Sequence, residues 1–299
     1  MKTFLIVLKR NVKLFFKDKG LFFTSLITPL ILLVLYATFL KNVYENTFSA
    51  VFSGFNLTVD KKIMNGLVGG QLFSSLLAVS CVTVSFCSNM LMVQDKVSGA
   101  RKDMLISPVK RSTLALSYYV ASAFSTLIIC FLAMVASFIY IAVTGWFLSF
   151  SDVLFLLLDI FLLVMFGTAL SSVINYFLSS QGHISAVGSI VSSCYGFICG
   201  AYMPLASFSS GLRNALMFLP GTYGTSLVRN HALNGVFKEM IKTGIPEQAI
   251  SGIKDSIDCN IYFFDNHVSI GVMFLVVALT VILLIAAYVL INCLSKKKN

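Results

Sequence analysis

Residues 206–228, Ala-Ser-Phe-Ser-Ser-Gly-Leu-Arg-Asn-Ala-Leu-Met-Phe-Leu-Pro-Gly-Thr-Tyr-Gly-Thr-Ser-Leu-Val, decide the architecture. They are apolar enough to cross a bilayer. Yet Gly211, Pro220, Gly221 and Gly224 punctuate them, and Pro204 stands just before, so one straight helix is excluded. If this stretch crosses a membrane the chain has seven spans; otherwise it has six. That a bilayer is the solvent follows from composition: of 299 residues, 58% are apolar and 11% charged, against roughly 45–50% and 25% in soluble domains. Uncharged runs cover Gly20–Leu40, Ile63–Gln94, Ser112–Ser151, Ile160–Leu212 and Asn266–Ser295, each at or above the roughly 20 residues that cross a hydrocarbon core. An ordinary soluble enzyme is excluded.

Charge order chooses between six and seven. With six spans, fourteen Lys and Arg residues share the side of the termini: six in residues 1–19, five in Gln94–Arg111 and three at Lys296–Lys298. The short opposite loop Lys41–Lys62 has three. Basic residues concentrate on the cytoplasmic side, and a seventh span would carry the terminal lysines outside. Residues 206–228 therefore read as a re-entrant or half-inserted hairpin on the outer face, which needs protein or a water-lined cavity around its broken backbone. The expected fold is all-α: one polytopic membrane domain over 1–299, with both termini cytoplasmic, an interfacial helix at 1–19, an inner loop at 94–111 and an outer hairpin and cap at 206–266.

The spans follow from the pattern. The first runs from about Leu21 to Leu40, kinked at Pro29; no small-x-small cleavage site follows it, so it reads as retained rather than as a signal peptide. The second covers about Gly66–Val93. The forty residues from Ser112 to Ser151 would make a helix of about 60 Å, one long span and its exit at Thr144-Gly145-Trp146. The fourth covers about Asp152–Leu178, the fifth Ile184–Met203 after a tight turn at Ser179–His183, and the last Val268–Leu294. In residues 1–19, Lys2, Lys9, Arg10, Lys13 and Lys17 share one helical side, and Phe4, Leu5, Leu8, Val12, Phe15 and Phe16 another, the pattern of a helix lying on an anionic leaflet. The net charge of +10 mostly flanks spans, which points to lipid headgroups rather than nucleic acid. Lys41–Lys62 reads as an ordinary connection, and Asn230–Asp265 as two short capping helices divided by Pro246.

The seven cysteines form no CxxC pair and the three histidines no HExxH pattern, so neither a metal site nor a disulfide framework is read. No GxxxxGK[ST] phosphate loop occurs. The inner loop 94–111, Gln-Asp-Lys-Val-Ser-Gly-Ala-Arg-Lys-Asp-Met-Leu-Ile-Ser-Pro-Val-Lys-Arg, predicts a short helix with Met104, Leu105 and Ile106 as an apolar knob and Pro108 as its stop. By composition it is either a solvated loop or an element that docks into a groove of a cytoplasmic partner.

Here the chain resembles the permeases of ABC type 2 transporters. Their pattern in this loop is an acidic residue, Gly-Thr, and an apolar run ending in Ser-Pro or Thr-Pro before a basic residue. This chain has Asp95, Gly99-Ala100, Met104-Leu105-Ile106-Ser107-Pro108 and Lys110-Arg111, with alanine where threonine is usual. In the family, span five leads through a proline into an outer hairpin closing on Leu-Pro-x-x-Tyr. Here Met203-Pro204-Leu205 precedes Leu219-Pro220-Gly221-Thr222-Tyr223 and then Arg229. The resemblance covers nearly the whole chain. It implies a cell-membrane export channel made of two permease copies or paralogues, driven by two separate ATP-binding subunits that seat on the inner loop. ATP and Mg belong to those subunits; this chain holds no cofactor, metal or catalytic residue.

Asp95, Gly99, Met104, Leu105, Ile106 and Pro108 are the expected coupling residues. Pro204, Leu205, Arg213, Pro220 and Tyr223 are the expected outer gate. Asp152 and Asp159, seven apart on one face of span four, are the candidate substrate path. An intramembrane carboxylate is costly and faces a cavity or a partner, so Asp159 reads either as a contact for a cationic substrate or as a structural hydrogen-bonding group. Asn89, Asn175 and the serines of span two read as helix-packing groups or path lining. The expected substrate is hydrophobic or amphipathic, a drug, antimicrobial peptide or lipid-like molecule; polysaccharide or teichoic-acid export is the alternative. An ion-coupled secondary transporter would need carboxylates in several spans, and an intramembrane enzyme a nucleophile with its base.

Overall fold

A computed structural model describes residues 2–264 and 266–294; the expected Lys296–Lys298 cluster and Asp265 lie outside the described residues. The order is α1 (Lys2–Lys17), α2 (Lys19–Leu35), a π turn (Tyr36–Leu40), α3 (Lys41–Gly54), α4 (Lys61–Ser88), α5 (Met90–Val97), α6 (Ala100–Ile106), α7 (Arg111–Thr144), α8 (Phe150–Phe177) and α9 (Gln181–Ile198). A 3₁₀ turn (Leu205–Ser207), α10 (Ser210–Leu216), α11 (Pro220–Lys242), α12 (Glu247–Ser256), the strands β1 (Ile261–Phe263) and β2 (Asn266–Val268), and α13 (Ile270–Leu294) complete it. Among the described residues, five helices are long and apolar enough to cross a membrane: Lys19–Gly54, Lys61–Val97, Arg111–Thr144, Phe150–Phe177 and Ile270–Leu294. The chain is a multi-pass, helical membrane protein. The expected fifth span corresponds to α9, 18 residues whose serines dilute its apolar character.

Polar caps set the helix ends. The Asp18 side chain accepts from the Leu21 amide at 3.1 Å, dividing α1 from α2. Ser149 and Asp152 form a reciprocal capping box at the start of α8, satisfying two amides that the helix cannot. Ser180 accepts from the His183 amide at the start of α9.

At the centre is α4, buried along most of its length and packed by α2, α7, α8, α9 and α11. Its glycines, serines and alanine explain that position, because helices in lipid associate through close van der Waals contact rather than through the hydrophobic effect. On its C-terminal half, Ser88 meets Thr126 of α7 at 2.6 Å, Ser85 meets Thr168 of α8 at 3.2 Å, and Asn89 donates to Ser171 and Ser172 at 3.0 and 2.8 Å. These polar groups join α4 to α7 and α8. The face of α1 formed by Val7, Asn11 and Phe15 packs on α7, while Leu5, Ile6 and Phe16 remain exposed.

Three boundaries differ from the expected ones. Lys41–Lys62 is not a plain connection: α3 continues α2 through the π turn and buries Tyr44, Phe48 and Phe52. An i+4 aromatic spacing in a polar stretch carried that helix. Span two breaks at Asn89 and resumes as α5, so the inner loop begins inside a helix. Most consequential, Val228 ends nothing: α11 runs from Pro220 through Arg229 and His231 to Lys242. The expected cap therefore consists of the end of α11, α12 and two antiparallel strands pairing Ile261 with Val268.

Candidate functional site

Three clusters hold the predicted residues, beginning with α5 and α6. Asp95 on α5 is buried; it accepts from Arg10 Nη1 and Nη2 of α1 at 2.5 and 3.0 Å, and from the Tyr118 hydroxyl of α7 at 2.5 Å. This hydrogen-bonded pairing with Asp95 holds the Arg10 guanidinium above its ordinary pKa. Lys96 donates to the Tyr176 and Leu178 carbonyls at 2.8 and 2.7 Å, neutralising the carbonyl end of α8. Arg101 on α6 donates to Asn292 near the end of α13 at 2.7 Å.

Between α5 and α6, Gly99 has φ +86°, the left-handed region that glycine enters without the Cβ clash of other residues. The two short helices thus form an elbow gripping α1, α7, α8 and α13. Of the expected knob, Met104 and Leu105 turn inward against a cluster containing Val7, Met92, Tyr118 and Tyr288. Ile106, 85% exposed, stands out with exposed Pro108. Of the three, only Ile106 faces outward, because the helix turns its neighbours toward the bundle.

The second cluster centres on Arg229, a residue sequence reasoning reached only by resemblance. It is 1% exposed. Its guanidinium donates to the Ile257 carbonyl, to the Gly200 carbonyl at 2.9 Å and to Ser75 Oγ at 3.3 Å, and lies 3.5 Å from the Asp258 carboxylate. Burial pushes the Asp258 carboxyl up to about 6, against the opposing pull of Arg229 and the Leu205 amide, which donates to it at 2.9 Å. Leu205 is buried under this contact, Pro204 caps the 3₁₀ turn, and Arg213 is exposed on α10. Tyr223 is buried with its hydroxyl donating to the Met217 carbonyl at 2.7 Å. Pro220 is the first residue of α11, where its missing amide proton costs nothing.

The third cluster joins α8 to α11, which run antiparallel. Gly224 abuts Leu163, and Gly235 lies so close to Phe147 that a Cβ would stand 1.9 Å from its carbonyl oxygen. Between these points, Asp159 meets His231 Nδ1 at 2.6 Å, and Asp152 accepts from Asn234 at 2.6 Å. The His231 ring stacks on Phe155 with centroids 4.9 Å apart. Asp159 is therefore not solitary: its partner is a histidine 72 residues on. The spacing Gly224, Val228, His231, Gly235 was the available signal, hidden by the polar look of Arg229–His231. Among the described residues no group of three or more metal-ligating side chains forms.

The family described as ABC-2 type transporter matches residues 2–232, which include the elbow, Arg229, Asp159 and His231. No curated protein and no solved structure matches the chain. A multi-pass helical bundle and a match over more than three quarters of its length make this chain a membrane component of an ABC transporter, and it belongs to the ABC-2 type transporter family.

Proposed function

We propose that the protein is the permease half of an ATP-driven exporter for hydrophobic or amphipathic molecules. Two copies, or this chain and a paralogue, form the path, and two ATP-binding subunits drive it from the cytoplasmic side. ATP and Mg act on those subunits; here work arrives mechanically. The observation that carries the reading is the elbow, whose exposed crest is Ile106 and whose underside is tied through Asp95, Lys96 and Arg101 to four helices. A push on the crest moves α1, α7, α8 and α13 together and biases the bundle between two packings, as a two-state transporter requires.

In this reading both termini are cytoplasmic, α9 is the fifth of six spans, and α10 with the first half of α11 is half-inserted from outside. Gly224 beside Leu163 supports that depth: Leu163 lies eleven residues into α8 from Asp152, about 16 Å along the helix. Pro204, Leu205, Arg213, Pro220 and Tyr223 then belong to an outer gate that closes the path.

Ile106→Asp tests the docking. The variant is expected to insert normally but to lose co-purification with the ATP-binding subunit and to lose export, since a charge there would be buried unpaired in the partner's groove. Retention of both would remove the elbow from the coupling role. Leu105→Asp is expected to harm folding instead. Labelling of an introduced C-terminal cysteine by an impermeant thiol reagent on intact cells would overturn the orientation.

A further inference from the structure

The lysines of α1 stand apart from everything that holds the helix in place. At about 100° per residue, Lys2, Lys9, Lys13 and Lys17 fall within a sector of about 80°, opposite the Val7, Asn11 and Phe15 face that packs on α7. All four are exposed. Among the described residues the ion pairs are Arg10–Asp95, Arg229–Asp258, His231–Asp159 and Lys242–Glu239, so none of these lysines has a carboxylate partner. One edge of the ridge is apolar: Leu5 and Phe16, both exposed, border Lys9. The Phe16 ring lies 5.9 Å from Phe22 in the first turn of α2, and Phe22 lies 5.7 Å from the exposed Phe23. The apolar edge of α1 therefore runs on into the exposed side of the membrane-crossing helix Lys19–Gly54, with only Asp18 between the two helices. With that side in lipid, the ridge stands at headgroup depth, where basic side chains meet phosphodiesters. This continuity selects a leaflet over an acidic protein surface as the partner.

The seat of α1 on the bundle is imperfect. A narrow gap lined by Asn11, Phe15, Tyr118, Ser122 and Ser125 separates it from α7. Asn11 Nδ2 and Ser125 Oγ are buried there without hydrogen-bond partners, an arrangement that costs stability. On the same helix, beside the ridge, Arg10 donates from both terminal nitrogens to Asp95 of the elbow. Whatever steadies or releases α1 therefore acts on Asp95.

We propose that the lysine ridge binds the headgroups of anionic phospholipids and that this contact, transmitted through Arg10 and Asp95, sets the position of the elbow. In a neutral leaflet α1 is held by its imperfect seat alone; anionic headgroups add attraction along the opposite face and fix the helix, and Asp95 with it. As a control on coupling this rests on the exporter reading above; as a lipid site it stands on its own geometry.

The test uses the full chain in vesicles of phosphatidylcholine with a minor share of phosphatidylglycerol. Bromines are carried either by the phosphatidylglycerol or by an equal amount of the phosphatidylcholine, and quenching is read from a tryptophan introduced by Leu5→Trp in a Trp146→Phe background. The native chain, whose Trp146 follows the far end of α7, is the control. Brominated phosphatidylglycerol should quench the introduced tryptophan about threefold more strongly than brominated phosphatidylcholine, and the control equally. High salt should weaken the preference, because exposed charges are screened, and Lys9→Gln/Lys13→Gln/Lys17→Gln should abolish it. Equal quenching of the introduced tryptophan, or a preference that survives the triple variant, would overturn the lipid site. Equal quenching together with loss of the ATP-binding subunit from the triple variant would assign the ridge to that subunit instead. Transmission is read by hydrogen exchange over residues 95–106. Phosphatidylglycerol should slow it about threefold in the native chain and leave it unchanged in Asp95→Asn, which keeps an oxygen for Tyr118 but gives up the ion pair, and which should retain the lipid preference. Exchange indifferent to lipid charge in the native chain would overturn the hold on the elbow. Neither measurement involves ATP or transport, so both results survive a failure of the exporter reading. If both succeed while ATP hydrolysis by the complex ignores phosphatidylglycerol, the lipid site stands and the control on coupling falls.

Discussion

Replacing Arg229 with methionine keeps a long flexible stem and removes the guanidinium that joins α4, the α9 exit, α11 and the outer cap. The Ile257 and Gly200 carbonyls and Ser75 lose their donor, and Asp258 is left buried with the Leu205 amide. Breaking one side of a buried ion pair costs about 3–5 kcal/mol. At roughly 2–4 °C per kcal/mol for a domain of a few hundred residues, the melting midpoint in detergent should fall by about 10 °C. Arg229→Lys should recover only part, since one ammonium cannot reproduce a planar fork serving acceptors in different directions. Asp258→Asn should cost less than Arg229→Met, because its amide oxygen still accepts from Leu205. The double variant Arg229→Met/Asp258→Asn should be milder than the sum of the singles by about 1–3 kcal/mol. Thermal melts followed by size-exclusion recovery read all four. A parental midpoint for Arg229→Met, or strict additivity in the double variant, would refute the pairing.

The Asp258 carboxyl, raised to about 6 in the folded protein, binds its proton more tightly there than in the unfolded chain, whose carboxylates titrate near 3.9. Its contribution is therefore fully present below about pH 4 and is lost as pH rises through about 6; hydrogen exchange at Leu205 and residues 257–260 should quicken over that window, and Asp258→Asn should abolish the slope. Asp159→Asn is expected to reduce export of cationic and neutral compounds alike, because the carboxylate serves His231; a loss confined to cations would restore it to the substrate path. His231→Phe, which preserves the stack on Phe155 but strands a buried carboxylate, should lower the melting midpoint more than Asp159→Asn. Gly99→Ala places a Cβ at φ +86°, costing about 1–2 kcal/mol; export should fall while co-purification with the ATP-binding subunit persists, whereas loss of binding would place Gly99 in the docking surface itself.

Much of the bundle was legible in advance because a bilayer imposes simple rules. Apolar runs of sufficient length, the turn at Ser179–His183, and Thr144–Trp146 as an exit each act locally, so spans three, four and six lie within a few residues of their expected bounds. The elbow was legible in kind, through Asp95, Gly99 and Pro108. Which of its apolar residues points outward was not: Ile106 differs from Leu105 only by its angle to a bundle that the heptapeptide does not contain. The largest departure is α11. Arg229, Asn230 and His231 read as the end of an apolar run because their partners are remote: Asp258 closes the charge of one and Asp159 pairs with another, 29 and 72 residues away. A buried polar residue looks exposed until its counterpart is known, and only the folded chain brings the two within hydrogen-bonding distance.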